Sequence, residues 1–370
     1  MKSDNDVVYD ANFSINQHRG MGKYINNFIN VLNNDLGLRT LGLLKGGTKV
    51  VSKKEYYSFG FNFYIFWEQF SMYFFSNKFQ GYIIFPYNTA SILLKKSPRN
   101  ILIIHDLIYF NDFETKSLKQ KFGAMYRRFV VPRIINKFEN IITVSDYSKN
   151  QLLSRFNLDK NKINVIPNSI VFDKDEIDLN PKYHQREKYI LHIGGEPAYK
   201  NSQSLLYAFS KLPADIRAIY KLKMIGIRDH AVLNEYKALS KKLGIQESIK
   251  FLPFQSDEQI IRLYKNAAMF VFPSFDEGFG IPIIESFKYG CPLLCSFSSC
   301  FPEIAGNAAR YFDPGDIDSI CTAIALSIQD ETQTILNIER GYDQVKNYSS
   351  SVFVSNVKSW HNKLENIEAI

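Results

Sequence analysis

Short apolar runs alternate along this chain with longer segments in which apolar residues recur at helical spacing. The apolar runs in the first half are Val7–Asp10, Tyr82–Phe85, Ile101–Ile104 and Ile141–Val144. Those in the second half are Tyr189–Ile193, Leu222–Ile225, Ile249–Leu252, Met269–Phe272 and Pro292–Ser296. Apolar strands separated by helices are typical of parallel sheets covered on both faces. The pattern therefore predicts an α/β protein.

A polar segment that contains a proline, Val171–Lys188, separates the two sets of strands. A chain of 370 residues is longer than one hydrophobic core usually supports. We therefore predict two doubly wound, Rossmann-like domains, residues 1–175 and 186–345, that face each other across a cleft. Residues 346–370 are predicted to form a C-terminal helix that packs back toward the N-terminal domain.

Ligands of doubly wound sheets bind beyond the carboxyl ends of the strands, so the residues after each strand carry the candidate chemistry. His105 follows the strand Ile101–Ile104. A histidine there can bond a substrate hydroxyl or move a proton near neutral pH. The alternative is a structural histidine that is bonded to a backbone carbonyl.

Lys200 lies between the strand Tyr189–Ile193 and a following helical pattern, for which Asn201 or Ser202 is the predicted cap. Backbone N–H groups and the helix dipole favour an anion at such an N-terminus. A lysine in this position is therefore a candidate phosphate ligand. The alternative is an exposed lysine with no ligand.

The stretch SFDEGFGIPIIESFKYG contains two glutamates eight positions apart, Glu277 and Glu285. Glu277 follows the strand Met269–Phe272 and precedes a Gly-Phe-Gly turn, where the backbone can approach a ligand closely. Pro282 suits the first turn of the next helix, which carries Glu285. Carboxylates accept strong bonds from hydroxyl groups, and glycine N–H groups suit phosphates. Together they favour a ligand with sugar hydroxyls and phosphates.

Composition narrows the class of protein. The net charge of +8 is spread along the chain and forms no dense basic block, so nucleic acid is not an expected partner. A mild positive excess also suits anionic lipid surfaces and phosphate-rich ligands. The four cysteines show no metal-ligand spacing, so we expect free thiols in a reducing cytosol. There is no apolar run of about 18 residues and no signal peptide, so a cytoplasmic location is expected.

Three further features leave alternatives open. The aromatic stretch Phe61–Phe75 could be an interfacial helix that touches a membrane, or a core helix of the N-terminal domain. Gly20 and Gly22 precede a helical pattern and allow either close approach of a ligand or simply a tight turn. Asp173 and Asp175 are spaced like a metal-binding pair but lie in the predicted linker, so no metal site is expected.

The segment SFDEGFGIPIIESFKYGCPLLCSFSSCFPEIAG resembles the signature of glycosyltransferase family 4, which comprises retaining enzymes of the GT-B fold. That signature has two glutamates separated by seven residues. Further matching pieces are FLPFQSDEQIIRLYKNAAMFVFPS, FPEIAGNAARYFDP, FWEQF, HDLIYF, TVSDYS and VIPNS. The chain is most similar to the bacterial polysaccharide and O-antigen mannosyltransferases of this family.

The resemblance implies a role for each residue of the signature. Glu277 would contact the hydroxyls of the donor sugar and help to hold its anomeric carbon. The backbone N–H groups of Gly278, Phe279 and Gly280 would assist it. Glu285 would bind the ribose hydroxyls of the donor.

Residues outside the signature also acquire roles from the resemblance. Lys200 would hold the diphosphate and stabilise its charge as it leaves. Gly20 and Gly22 would let the N-terminal domain approach the phosphates, and His105 would contact the transferred sugar. Many family members carry an arginine five residues before the lysine, where this chain has Gly195. Some relatives with an EPRKN-like loop also lack it, and Tyr199 replaces their extra arginine.

The implied activity is transfer of a hexose, with mannose from GDP-mannose as the first candidate, to a sugar hydroxyl of a lipid-linked oligosaccharide in polysaccharide biosynthesis. No cofactor or metal is implied, and the enzyme would lie in the cytoplasm, in peripheral contact with the inner face of the cytoplasmic membrane. Two alternatives stay open. One is a non-catalytic subunit that binds a sugar nucleotide, and the other is a sugar-nucleotide epimerase on the same fold.

Overall fold

The computed structural model describes residues 6–15, 20–49, 55–113, 117–170 and 183–368. The chain divides into two compact units. The first comprises Met1–Asn111, Ser117–Ser169 and Ser351–Ile370, and the second comprises Asp112–Lys116 and Ile170–Ser350. Most of the predicted linker, with Asp173 and Asp175, lies outside the described residues.

The first unit contains a seven-stranded sheet in which every pairing is parallel. Its strands are β1 (Val7–Asp10), β2 (Thr40–Lys45), β3 (Tyr56–Phe59), β4 (Tyr82–Phe85), β5 (Ser97–Ile104), β6 (Phe138–Thr143) and β7 (Ile163–Val165). Their spatial order is β3-β2-β1-β4-β5-β6-β7. The order reverses between β1 and β4, which makes this the point where ligands of doubly wound sheets usually bind.

Helices of the first unit cover this sheet. They are α1 (Met21–Asn34), α2 (Tyr64–Phe66), α3 (Met72–Ser76), α4 (Leu118–Ile134) and α5 (Asp146–Phe156). A π-helical segment, Trp67–Ser71, joins α2 to α3. This segment faces the core with Trp67 and Glu68, while five phenylalanines between positions 61 and 74 remain exposed. The aromatic stretch thus has both a buried and an exposed face.

The second unit contains a six-stranded parallel sheet. Its strands are β8 (Glu187–Ile193), β9 (Lys221–Ile225), β10 (Ile249–Phe251), β11 (Ala267–Phe272), β12 (Leu293–Ser296) and β13 (Ala309–Phe312). Their order is β10-β9-β8-β11-β12-β13, with the reversal between β8 and β11. All six residues of β11 are buried, as expected for a central strand covered on both faces.

The remaining helices follow in chain order. They are α6 (Ser202–Lys211), α7 (Ala214–Ile219), α8 (His230–Lys242), α9 (Asp257–Asn266), α10 (Ile281–Lys288), α11 (Phe301–Ala305), α12 (Ile317–Gln329), α13 (Glu331–Lys346) and α14 (Ser350–Glu368). Almost all of α14 belongs to the first unit, where Trp360 packs on Phe28 with ring centroids 5.3 Å apart. None of the helices in the described residues combines the length and the apolar character that a membrane-spanning segment needs.

The predicted fold class, α/β with two doubly wound Rossmann-like domains of the GT-B type, is confirmed. All nine predicted strands are present within a few residues of their expected bounds. The pattern missed β2, β3, β7 and β13. Strands β3, β7 and β13 lie at sheet edges, so their sequences lack the continuous apolar character of a central strand.

Candidate active site

The candidate site of the second unit lies where its strand order reverses. The loop that carries Lys200 follows β8, and the loop that carries Glu277 follows the neighbouring strand β11. Because both strands are parallel, their carboxyl ends meet at the same edge of the sheet. This arrangement brings two chain segments together that are far apart in sequence.

Lys200 and Glu277 form an ion pair. The Nζ atom of Lys200 donates to Oε1 of Glu277 at 2.5 Å, and the two side chains are 20% and 13% exposed. The ammonium group also lies 5.4 Å from the ring centroids of Tyr199 and Phe272. A cation held between two aromatic faces and a carboxylate is well positioned to meet a negatively charged ligand.

The backbones of the two loops are also joined. The N–H of Phe275 donates to the carbonyl of Tyr199 at 2.7 Å. Asn201 adopts a left-handed conformation, with φ of 55°, between Lys200 and α6. These features fix Lys200 at the start of α6.

The predicted N-cap position of α6 is correct, but the predicted capping hydrogen bond from a side chain is absent. Asn201 is the N-cap residue, but its side chain makes no capping bond and donates instead to the carbonyl of Pro314 at 2.8 Å. The hydroxyl of Ser202, inside the helix, is bonded to His192 at 2.8 Å. Neither side chain therefore blocks the helix N-terminus from which an anion could accept hydrogen bonds.

A glycine turn leads from Glu277 into α10. Gly280 has φ of 84°, a conformation that other residues rarely adopt, and a Cβ atom added there would lie 3.1 Å from Cδ1 of Ile283. Phe279 is buried against Tyr348, with ring centroids 5.4 Å apart. Gly278, which follows Glu277 in the chain, is also buried. The packing of Phe279 on Tyr348 therefore holds the turn in place.

Glu285 lies on α10 between the buried residues Ile283 and Phe287, and is itself only partly buried. The hydroxyl of Tyr264, on α9, donates to Oε2 of Glu285 at 3.2 Å. Burial raises the pKa of Tyr264 well above its usual value, and the nearby charge of Glu285 raises it further. The phenol therefore stays protonated and can donate a hydrogen bond. The carboxylate of Glu285 is thus oriented by a neighbouring helix.

Two families match this chain. The family described as "Glycosyl transferases group 1" matches residues 173–343, and "Glycosyltransferase Family 4" matches residues 64–174. O-antigen chain mannosyltransferase B of Escherichia coli is 33% identical over 261 residues, which cover 68% of this chain and 67% of the relative. This chain belongs to the group 1 glycosyltransferases. The resemblance found in the signature is thereby confirmed.

A second relative and a solved structure agree with this membership. O-antigen chain mannosyltransferase RfbU of Salmonella typhimurium is 30% identical to the glycosyltransferase, over 60% of this chain and 59% of the relative. The crystal structure of HepE from Anabaena with UDP and glucose superposes with a TM-score of 0.72 at 14% identity, covering 99% of this chain and 100% of HepE. That likeness concerns the fold.

His105 of the glycosyltransferase belongs to the first unit, after β5. Its Nε2 atom lies 2.9 Å from the carbonyl of Pro86, and its backbone N–H donates to Asn88 at 2.7 Å. Burial lowers the pKa of His105 to about 4. The neutral ring therefore donates from Nε2 to the carbonyl, which leaves Nδ1 as its acceptor atom. A neutral His105 can bind a hydroxyl but does not supply a positive charge at neutral pH.

Gly20 and Gly22 also belong to the first unit. Gly20 immediately precedes α1 and has φ of 58°, while Gly22 is buried in the first turn of that helix. Among the described residues, its chain neighbours apart, none has an atom within 4 Å of the position that a Cβ of Gly20 would occupy. The backbone conformation, rather than lack of space, is what requires glycine at this position.

His192, on β8, is a site residue that the sequence did not predict. Its Nδ1 atom lies 3.0 Å from the carbonyl of Val271 on β11, and its Nε2 atom lies 2.8 Å from the hydroxyl of Ser202. A Cβ atom at Gly194 would lie 2.4 Å from His192 Nε2, so glycine is needed for this contact. His192 thus ties both site strands to the start of α6. Its position inside an apolar run was the available signal.

Acidic, histidine and cysteine side chains form no cluster that could hold a metal ion among the residues that the structure describes. The four cysteines are free thiols, and three of them are buried. Burial raises the pKa of Cys291 to about 12. A thiol with so high a pKa is a poor nucleophile and a poor metal ligand at neutral pH.

Proposed function

We propose that this glycosyltransferase is a retaining hexosyltransferase, and that it transfers mannose from GDP-mannose to a sugar hydroxyl of a lipid-linked oligosaccharide. The observation that carries the proposal is the Lys200–Glu277 ion pair at the strand reversal of the second unit. It supplies a cation for a diphosphate and a carboxylate for sugar hydroxyls within one hydrogen bond of each other.

In the proposed reaction, the acceptor oxygen forms a bond to the anomeric carbon on the same face from which the diphosphate departs. The bond between that carbon and the diphosphate oxygen breaks with its electron pair. The departing diphosphate oxygen takes the proton of the acceptor hydroxyl. Lys200 stabilises the growing negative charge, and Glu277 orients the sugar. No protein nucleophile and no metal ion takes part.

The relatives guide the choice of substrates. Both O-antigen relatives are named as mannosyltransferases, and the HepE crystal holds UDP and glucose. A nucleotide sugar is therefore the proposed donor. His105 and the Gly20 turn, at the carboxyl edge of the first sheet, are the proposed contacts to the sugar and the phosphates.

A lipid-linked acceptor requires contact with a membrane surface, and the first unit offers one. The aromatic face, defined by its exposed phenylalanines, consists of Phe61, Phe63, Phe66, Phe70 and Phe74. These rings contact one another, with centroid distances of 5.7 Å to 6.2 Å among the first four. A large exposed apolar patch of this kind usually marks an interaction site.

Helix α4, which is bonded to the π-helical segment, adds exposed apolar residues and positive charge. Its exposed apolar residues are Leu118, Phe122, Met125 and Phe129. The helix contains five lysines or arginines and no acidic residue. Tyr126 of α4 accepts from Gln69 of the π-helical segment at 2.7 Å, which joins α4 to the segment that carries part of the aromatic face. Aromatic side chains beside basic ones fit an anionic lipid surface.

Vesicle co-sedimentation tests the membrane contact. We expect the protein to sediment with vesicles of phosphatidylglycerol and phosphatidylcholine, and less with phosphatidylcholine alone. The double change Phe66→Ser and Phe122→Ser should reduce binding at least about tenfold, since each loses burial of a large apolar side chain. Phe297→Ser, at an exposed aromatic of the second unit, is the matched control. Equal binding of both variants would contradict the proposed surface.

A panel of nucleotide sugars tests the donor. A ligand that binds only the native state raises its melting temperature, so GDP-mannose should give the largest shift among GDP-, UDP- and ADP-sugars. Release of the nucleotide diphosphate without acceptor distinguishes an enzyme from a non-catalytic subunit. An altered sugar nucleotide formed without acceptor would instead indicate an epimerase.

A further inference from the structure

Phe113 belongs to the second unit, although it comes from the chain between β5 and α4 of the first. Its ring centroid lies 5.9 Å from that of Tyr199 and 6.1 Å from that of Phe275. The ring of Phe275 is nearly parallel to that of Phe113, at 19°. Phe113 therefore packs on both loops of the candidate site at once.

These contacts lead directly to the ion pair. Tyr199 immediately precedes Lys200, and its ring lies 5.4 Å from the Lys200 ammonium. Phe275 lies two positions before Glu277 and donates its N–H to the Tyr199 carbonyl. A movement of the Tyr199 or Phe275 ring would also move the neighbouring site residue. The packing of Phe113 on both rings therefore helps to fix the position of Lys200 relative to Glu277.

The long side chain of Lys200 needs neighbouring groups that fix its orientation. The described contacts that orient the Lys200 side chain are its ion pair with Glu277 and the rings of Tyr199 and Phe272. A flexible lysine has four rotatable bonds and loses considerable entropy when it is fixed. Rings that restrict it before the donor binds reduce the cost of reaching the reactive geometry.

We propose that Phe113 is a positioning residue, which acts through Tyr199 and Phe275 to hold Lys200 beside Glu277. This inference rests on the proposed function, because it assigns a role in the same site. Phe113 touches neither donor nor acceptor in this account. Its removal should therefore slow the chemical step more than it weakens donor binding.

The test measures nucleotide diphosphate release from the donor selected by the panel. Phe113→Ala should lower kcat about 10- to 100-fold and change KM less than about threefold, since small misplacements of reacting groups cost this much. Phe113→Tyr keeps the ring and should restore at least half of the wild-type kcat. Phe297→Ala, which removes an exposed ring packed on Tyr311, should keep the wild-type rate.

A double-mutant cycle separates positioning from general damage. Because Phe113 and Tyr199 act through one contact, the double alanine variant should be no more than about threefold slower than the slower single variant. Rate losses that multiply would contradict the proposal, as would a Phe113→Ala variant with wild-type kcat. A Phe113→Tyr variant as slow as Phe113→Ala would also overturn it. If the wild type releases no nucleotide diphosphate from any donor, the proposed function itself fails.

Discussion

The ammonium nitrogen of Lys200 lies 2.5 Å from a carboxylate oxygen of Glu277, a residue 77 positions later in the chain. Each group neutralises the other in this state. A phosphate that approaches Lys200 must therefore compete with Glu277, while a sugar hydroxyl can donate to Glu277 without displacing the lysine. In the proposed mechanism the pair thus separates two tasks: Lys200 stabilises charge and Glu277 orients the sugar.

Lys200→Ala should lower kcat for nucleotide diphosphate release about 100- to 1000-fold, the usual loss when one preorganised charge-stabilising donor is removed. The KM for the donor should rise much less, because the lysine acts mainly on the charge that develops as the glycosidic bond breaks. Steady-state kinetics with the selected donor measures both constants. A variant that keeps more than half of the wild-type kcat would show that another cation holds the phosphates.

Gly195→Arg in the Lys200→Ala background should recover part of that loss. Gly195 has no positive φ that would strain a side chain, and an added Cβ would lie 3.3 Å from Cδ of Pro197, so a small shift of that ring accommodates it. The same kinetic assay compares the single and double variants. No recovery would mean that position 195 does not face the diphosphate.

Glu285→Ala should weaken binding of the free nucleotide diphosphate, because its proposed partners are the ribose hydroxyls. The expected loss is about 1–3 kcal/mol, the cost of leaving buried partners unpaired. Tyr264→Phe removes only the hydroxyl that orients Glu285 and should have a smaller effect in the same direction. Calorimetry with free nucleotide diphosphate should give the highest affinity for the wild type, a lower one for Tyr264→Phe and the lowest for Glu285→Ala. Equal affinities would exclude Glu285 from ribose binding.

EDTA should leave donor turnover unchanged. The proposed mechanism assigns charge stabilisation to Lys200 and needs no divalent cation. Initial rates measured before and after dialysis against EDTA, with added Mg²⁺ or Mn²⁺ as the control, test this. Complete loss of activity that either cation restores would contradict the metal-free reaction.

Asp10, at the carboxyl end of β1, should make stability depend on pH. Burial raises its pKa to about 7, against the opposing hydrogen bonds from Asn12 and Tyr64. Between its ordinary pKa of 3.8 and about 7, the folded state binds the proton and the unfolded state does not. The free energy of unfolding should therefore fall as pH rises through this window, by up to about 1.4 kcal/mol per pH unit.

Asp10→Asn removes that dependence, so urea unfolding of both proteins at pH 5 and pH 7 measures the contribution of Asp10 together with its coupling to the buried carboxyl of Glu68. The variant should gain stability relative to wild type as pH rises. His105 and His192, whose pKa values burial lowers to about 4, contribute the opposite slope equally to both proteins and cancel in the difference. A stability difference that stays constant with pH would contradict the buried, protonated Asp10.

Much of the architecture could be predicted because buried parallel strands have continuous apolar sequences. Strand β11 and the turn before α10 follow directly from the sequence around Glu277. The edge strand β13, with the sequence ARYF, has no such run, since only one of its residues is buried. An edge strand of this kind can be recognised only once its neighbour is known, whereas the edge strand β10 was predicted from its own apolar run, Ile249–Leu252.

The contacts of the site were harder to predict than its members. Nothing local links Tyr264 to Glu285 or Phe113 to Tyr199, because these pairs meet only through the packing of separate elements. The side chain of Asn201 had two possible partners, its own helix or a distant carbonyl, and the fold supplied the second. Residue type predicts which atoms can bond, while topology decides which of them meet.

We propose above all that Lys200 and Glu277 form the catalytic site for transfer of a sugar from a nucleotide diphosphate. The most direct test is the rate of nucleotide diphosphate release by Glu277→Gln, with the affinity for free nucleotide diphosphate measured on the same preparation. Removing the charge frees Lys200 for phosphate, so affinity should stay equal or tighten up to about fivefold, given the ~1 kcal/mol of a partly exposed ion pair. The release rate should fall at least about 100-fold, because Glu277 no longer orients the sugar. Release at the wild-type rate would contradict the account.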